Sequence, residues 1–107
     1  MKEIKVYQGK DGGQPFTDWL VSIKDLTARA KIRAFIDRVA LGGSKKNVEP
    51  LGDGVFELKL DYGPGYRIYF GEKRNQIIIL LYGGTKRRQQ KDIDLAKEYW
   101  RAYSAKT

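Results

Sequence analysis

Residues 58–70 read LKLDYGPGYRIYF, and residues 83–93 read GGTKRRQQKDI. The first stretch sets Lys59 and Arg67 on either side of a Gly-Pro-Gly turn. The second places Lys86, Arg87, Arg88 and Lys91 within six residues. Cations gathered this way suit an anion, above all a phosphate, which takes charge-assisted hydrogen bonds from several donors at once.

Whether they gather depends on the strands that carry them. With Asp61 to Gly65 as the loop, Leu60 opposes Tyr66, Leu58 opposes Ile68 and Phe56 opposes Phe70, giving one apolar face. The period of two then sets Lys59 opposite Arg67 and Glu57 opposite Tyr69 on the other face. Like charges directly opposed across a hairpin cost some stability, so a bound anion is a better reason for the pair than folding. Tyr66 turns to the core. Tyr69 shares the cationic face, where a tyrosine can stack on a base, although packing is the commoner role.

The third strand extends the cluster. QIIILLY is apolar on both faces, the pattern of a central strand covered on both sides. A turn at Glu72 to Asn75 pairs Gly71 with Gln76, Phe70 with Ile77 and Arg67 with Leu80. The strand then ends near Tyr82 beside the Asp61–Gly65 loop, and Lys86 and Arg87 leave it at the rim that holds Lys59 and Arg67. The plainer reading of Lys86 to Lys91 is a solvated run before a helix. A helix N-terminus already carries positive partial charge, however, so further cations there make sense with an anion between them. GGTK lacks the spacing of a Walker loop.

The remaining elements follow from periodicity. Residues 3–7 alternate as a strand. A helix opens at Pro15, with Phe16, Trp19, Leu20 and Ile23 on one stripe. A second helix, N-capped by Thr27, faces Ala28, Ile32, Phe35, Ile36 and Val39 inward and ends at Gly42-Gly43. It leaves Arg29, Lys31, Arg33 and Arg38 outside, most simply as a solvated face. Residues 44–54 read as a loop, and strands follow at 55–60, 66–71 and 76–82. A last helix from about Gln90 to Tyr103 carries Ile93, Ala96, Trp100 and Tyr103. The order β-αα-βββ-α predicts one α+β domain over residues 1–107, a strand and helical hairpin packed on a mainly antiparallel sheet with a C-terminal helix.

Composition limits the chemistry. The 107 residues carry a net charge of +8 with no cysteine and no histidine. Disulfides, thiolate zinc sites, cysteine nucleophiles, imidazole ligands and the Ser-His-Asp arrangement are excluded. No cofactor and no metal are expected, and catalysis would fall to Lys, Arg, Tyr, Asp, Glu or backbone groups. A basic domain favours polyanions. The charged N-terminus does not fit a signal peptide, and the run from Ile77 to Tyr82 is too short to span a bilayer, so the expected setting is cytoplasmic, with no membrane partner.

The GxGYRIYF strand and the LLYGG-K-xx-Q-x-DI-xx-A turn and helix resemble the HigB-like branch of the RelE/ParE toxin superfamily, the toxins of bacterial toxin–antitoxin modules. The resemblance covers nearly the whole chain. It implies a metal-independent endonuclease that cuts mRNA in the ribosomal decoding site, in complex at other times with a cognate antitoxin of helix-turn-helix type. Arg67 matches the strand arginine that contacts the scissile phosphate, Lys59 a lysine of the preceding strand, and Lys86 with Arg87 the basic turn. Arg88 and Lys91 extend that turn as RNA contacts, and Arg29, Lys31, Arg33 and Arg38 would dock on ribosomal RNA phosphates. Relatives often add a C-terminal tyrosine or histidine; here only Tyr99 and Tyr103 lie in that region. Where some relatives have a second lysine, this chain has Glu57, which leaves Lys59 and Glu57 as rival general bases. ParE-like members instead poison DNA gyrase without the cationic site, and a plain nucleic-acid-binding module is the other alternative.

Overall fold

The computed structural model describes residues 2–42 and 46–106. Five strands, β1 (Glu3–Val6), β2 (Val48–Gly52), β3 (Val55–Leu60), β4 (Tyr66–Lys73) and β5 (Ile77–Thr85), form one sheet in the order β1-β5-β4-β3-β2. Every pairing is antiparallel except that of β1 with β5. The helices are α1 (Pro15–Ser22), α2 (Leu26–Ala40) and α3 (Gln89–Lys106), the last entered through a 3-10 turn at Lys86–Arg88. This is the α+β fold that the periodicities predict.

The sheet is the middle of three layers. On one face Leu58, Leu60, Tyr66, Ile68, Phe70, Ile78 and Leu80 close against Phe16 and Leu20 of α1 and Ile32, Ile36 and Val39 of α2. On the other, Val55, Tyr69, Ile79 and Leu81 close against Tyr7 and, from α3, Ala96, Ile93 and Trp100. Both faces of β5 are therefore dry, which is why its sequence does not alternate.

The first hairpin has the expected register: Phe56 with Phe70, Leu58 with Ile68, Lys59 with Arg67 and Leu60 with Tyr66. The second differs. β4 runs on to Lys73, and Arg74 and Asn75, both at φ 55°, make the turn that Gln76 N–H closes on the Lys73 carbonyl at 3.0 Å. Two consecutive left-handed residues match strand twist better than the longer loop expected from Glu72 to Asn75. A bulge follows, with Tyr69 opposite Tyr82 but Phe70 opposite Leu80, so Leu81 has no partner. Turn and bulge together set Arg67 opposite Gly84, not Leu80.

Two further expectations are corrected. Asp25, not Thr27, caps α2, its Oδ1 accepting from Thr27 N at 2.9 Å and Ala28 N at 3.2 Å. Residues 48–52 of the expected loop are an edge strand, where Pro50 is tolerated because one side of the strand faces no partner. Gly42 ends α2 in the left-handed conformation, at φ 81°, while Gly43 lies outside the described residues.

Candidate functional site

β3 and β4 hold Lys59 and Arg67 side by side, and the end of β5 brings Lys86 to them. Lys86 N–H donates to the Gly65 carbonyl at 2.9 Å, so the basic turn is pinned to the Gly-Pro-Gly loop. The Arg67 guanidinium lies under that loop, within 3.7 Å of the place a Gly65 Cβ would take. Three chain segments thus meet at one rim, as the sequence predicts.

Their environments differ. The Arg67 side chain is only 7% exposed, against 40% for Lys59. Arg67 Nη1 donates to the Tyr66 carbonyl at 3.2 Å, and its Nε lies 3.9 Å from Glu57 Oε1, an ion pair too long for a hydrogen bond. Glu57 is fully buried, and its Oε2 accepts from Gln89 Nε2 of α3 at 2.8 Å. Glu57 Oε1, Arg67 Nε and the Tyr69 hydroxyl are buried without a hydrogen-bond partner among the described residues. Such atoms are costly: a water can satisfy either kind, whereas an acceptor oxygen of a ligand serves only the two donors, Arg67 Nε and the Tyr69 hydroxyl.

Tyr69 corrects an expectation. Its ring is fully buried under α3, so it presents no face to a base. Burial, with the Glu57 and Asp92 charges, pushes its hydroxyl well above the usual tyrosine range and keeps it a donor. Lys59 corrects another. Glu49 Oε2 sits 2.6 Å from its Nζ and raises its pKa, chiefly through that hydrogen bond, whereas neighbouring cations were expected to lower it. A lysine held protonated is an electrostatic group, not a proton acceptor.

Asp92 adds what no spacing suggested. It is buried in the first turn of α3, with its carboxylate against Gly84, where a Cβ would overlap it. Burial raises its pKa, and Arg88 opposes that rise. Gly84, opposite Arg67, is thus small because a carboxylate from the covering helix needs its space.

Around this centre Lys86, Arg87, Arg88 and Lys91 are exposed. Arg87, Arg88, Gln90 and Lys91 line an open pocket of about 320 Å³. The cations of α2 are not gathered there. α2 covers the opposite face of the sheet, where Arg29 donates to the Ile23 and Val21 carbonyls at 2.6 Å each and ties down the end of α1. Lys31 stands over the Tyr62 ring at 5.1 Å and Arg38 over Phe35 at 5.2 Å, while Arg33 is simply exposed. Of the C-terminal tyrosines, Tyr99 stacks on Tyr7 and Tyr103 on Trp100.

A family model described as phage derived protein Gp49-like matches residues 18–101, from α1 almost to the end of α3. The chain belongs to that family. The Gp49-like proteins are a type II toxin family of the RelE/HigB-like kind. A Haemophilus influenzae protein that carries only the description uncharacterized is 44% identical over 82 residues, 77% of this chain and 82% of its own. The Gp49-like match takes in every residue of the rim, from Glu49 to Asp92. Among the described residues, no helix is long and apolar enough to cross a membrane.

Proposed function

We propose that this Gp49-like protein is the toxin of a type II toxin–antitoxin module and cleaves mRNA on the ribosome in the cytoplasm. The observation that carries the reading is a nearly buried arginine, with an unsatisfied Nε, flanked by two lysines from separate segments at an open rim. Structural ion pairs do not need that surplus of positive charge, and a phosphodiester does.

The chemistry is an attack of the ribose 2′ oxygen on the adjacent phosphorus. The P–O5′ bond breaks, a 2′,3′-cyclic phosphate forms, and the proton lost from the 2′ hydroxyl is balanced by one gained at the leaving 5′ oxygen. Negative charge grows on the two free oxygens of the phosphorane. Arg67, Lys59 and Lys86 stabilise it, because fixed cations in a partly dry site need no reorganisation as the charge develops. With Lys59 protonated, Glu57 is the proton acceptor nearest to Arg67, once the substrate opens the rim above it. Arg87, Arg88 and Lys91 hold flanking phosphates, and the α2 cations Arg29, Lys31, Arg33 and Arg38 serve ribosomal RNA from the far face. A cognate antitoxin, of helix-turn-helix type by the resemblance, would cover the rim or prevent ribosome entry.

One observation favours a second reading, a non-catalytic nucleic-acid-binding module: Arg67 is mostly covered and bonded to its own strand. The test separates them. Purified protein is added to programmed 70S ribosomes with a defined mRNA, beside Arg67→Ala, and the 5′ ends of the products are mapped. Cuts in the decoding site that vanish with Arg67→Ala support the nuclease. Intact mRNA with the wild-type chain rejects it.

A further inference from the structure

Two glutamines stand side by side at the start of α3 and do different things. Gln90 is exposed, and its Nε2 donates to Asp94 Oδ1, four residues on, at 3.0 Å. That is an ordinary pair on a helix surface. Gln89 instead turns under the sheet, where its Nε2 donates to Glu57 Oε2 of β3 at 2.8 Å.

Glu57 is held by one oxygen only. Oε2 takes the Gln89 amide, while Oε1 has no hydrogen-bond partner among the described residues. Lys59 Nζ and Arg67 Nε each lie 3.9 Å from Oε1, close enough for charge and too far for a hydrogen bond. Glu49, 2.6 Å from Lys59 Nζ, draws that ammonium toward the edge strand and off Oε1. The carboxylate therefore keeps one bare oxygen, behind the partly exposed Lys59 and beside Arg67.

We propose that Gln89 is a positioning residue, which fixes the Glu57 carboxylate so that Oε1 takes the proton of the ribose 2′ hydroxyl beside Lys59 and Arg67. This rests on the mRNA-cleavage reading above. In that step the 2′ oxygen bonds to phosphorus and its proton passes to Oε1. The P–O5′ bond breaks, and the leaving 5′ oxygen takes a proton from water. An amide suits the task because it is neutral. With two cations already near Glu57, a third on α3 would pair with the carboxylate and occupy its free oxygen. An ionised carboxylate only accepts, so the N–H end of the amide must face it. The amide is also well anchored. Gln89 N–H donates to the Lys86 carbonyl, and Lys86 N–H donates to the Gly65 carbonyl at 2.9 Å. The turn that brings Lys86 to the rim thus also aims Glu57, and a base aimed before the substrate arrives loses less to disorder in the reaction.

The test is a double-substitution cycle in the ribosome assay, with kcat and KM read separately. Gln89→Leu removes the donor and keeps the bulk; Gln89→Met, unbranched, replaces it if Gln89→Leu does not fold. A general base contributes about 10²–10⁴-fold, and substitution at Gln89 is expected to take about tenfold or more of that from kcat, with KM changed by less than about twofold. In a Glu57→Gln background the same substitution should change kcat by less than about twofold, since no base is left to position. A loss of folded protein would instead appear equally in both backgrounds. An undiminished kcat in Gln89→Leu, a rise in KM alone, or the same loss with and without Glu57 would each overturn the proposal. Full cleavage by Glu57→Gln would overturn it while leaving Arg67 and mRNA cleavage in place. Intact mRNA with the wild-type chain rejects the cleavage reading, and the role of Gln89 falls with it.

Discussion

The two faces of the β3–β4 hairpin come from the same short stretch, Phe56 to Phe70, and yet solve different problems. One face, Phe56, Leu58, Leu60, Tyr66, Ile68 and Phe70, is apolar and packs against the helical hairpin. The other, Glu57, Lys59, Arg67 and Tyr69, is polar, but Glu57, Arg67 and Tyr69 are as deeply buried as the core. A polar row on a strand usually marks the wet side of a sheet. Here α3 covers that side, so the polar groups carry a desolvation cost that only partners or a ligand offset. The contrast separates the half of the hairpin that holds the fold from the half that is held ready for chemistry.

The sharpest way to break that contrast is to remove the buried counter-charge. Glu57→Ala would leave the Arg67 guanidinium buried beside no carboxylate, and the expected loss of unfolding free energy is about 3–5 kcal/mol. Ile68→Ala, on the apolar face of the same hairpin, should cost about 2–5 kcal/mol through the cavity it leaves. Urea titrations of both variants with a phosphate or sulfate series distinguish the faces. Anion should worsen neither fold but should bind the Glu57→Ala protein more tightly, since it supplies the missing negative charge. A Glu57→Ala chain as stable as the wild type would mean that the centre is already wet and contributes no more than a surface pair.

Next in size is a change that keeps the charge and removes the shape. Arg67→Lys should fold, since the ammonium can still face Glu57, but it loses the fork that reaches two phosphoryl oxygens. Cleavage in the ribosome assay is expected to fall about 100-fold, the usual penalty for losing one donor to the developing charge. Full activity in Arg67→Lys would reduce Arg67 to a point charge and shift the weight of the mechanism to Lys59 and Lys86.

A third variant asks whether α3 really seals the polar side. Trp100 of α3 lies directly on the backbone of Gly71, where a Cβ would overlap the indole. Gly71→Ala should therefore push α3 off the sheet and cost about 1–3 kcal/mol through overpacking, measured by denaturant unfolding. Quenching of the tryptophan fluorescence by acrylamide should rise in the same variant as Trp100 is lifted from the sheet. An unchanged protein would show that α3 adjusts without opening the layer.

How much of this was legible depended on how far apart in sequence the causes lay. The Lys59–Arg67 pairing was readable because a short loop and a period of two settle it locally. The β4–β5 register was not: the Arg74-Asn75 turn moves it by three residues and the bulge at Leu81 by one more. Edge strand β2 was missed because VEPLG has neither alternation nor a β-branched run, and its role is visible only beside β3. Misjudging Lys59 had the same root. Its partner Glu49 sits on that unrecognised strand and raises the pKa that Arg67 lowers. Tyr69 and Asp92 depend on α3 folding back over the sheet, a contact that no local pattern announces.

Asp92 gives the smallest effect and the cleanest sign. Burial raises its pKa above the ordinary 3.8, with Arg88 pulling the other way. A raised aspartate pKa means that the folded chain holds the proton to higher pH than the unfolded chain does. Folding is therefore favoured as the pH falls through the folded-state value, and this contribution is lost as the pH rises again. Asp92→Asn removes the titration while keeping the shape against Gly84. The stability of the wild type relative to Asp92→Asn should thus grow as the pH is lowered into the range just above 3.8, and Arg88→Ala should enlarge that growth. Thermal unfolding of the three proteins over that range is the measurement. Parallel profiles would place Asp92 in contact with water and leave the covered side of the hairpin with one buried acid, Glu57, in place of two.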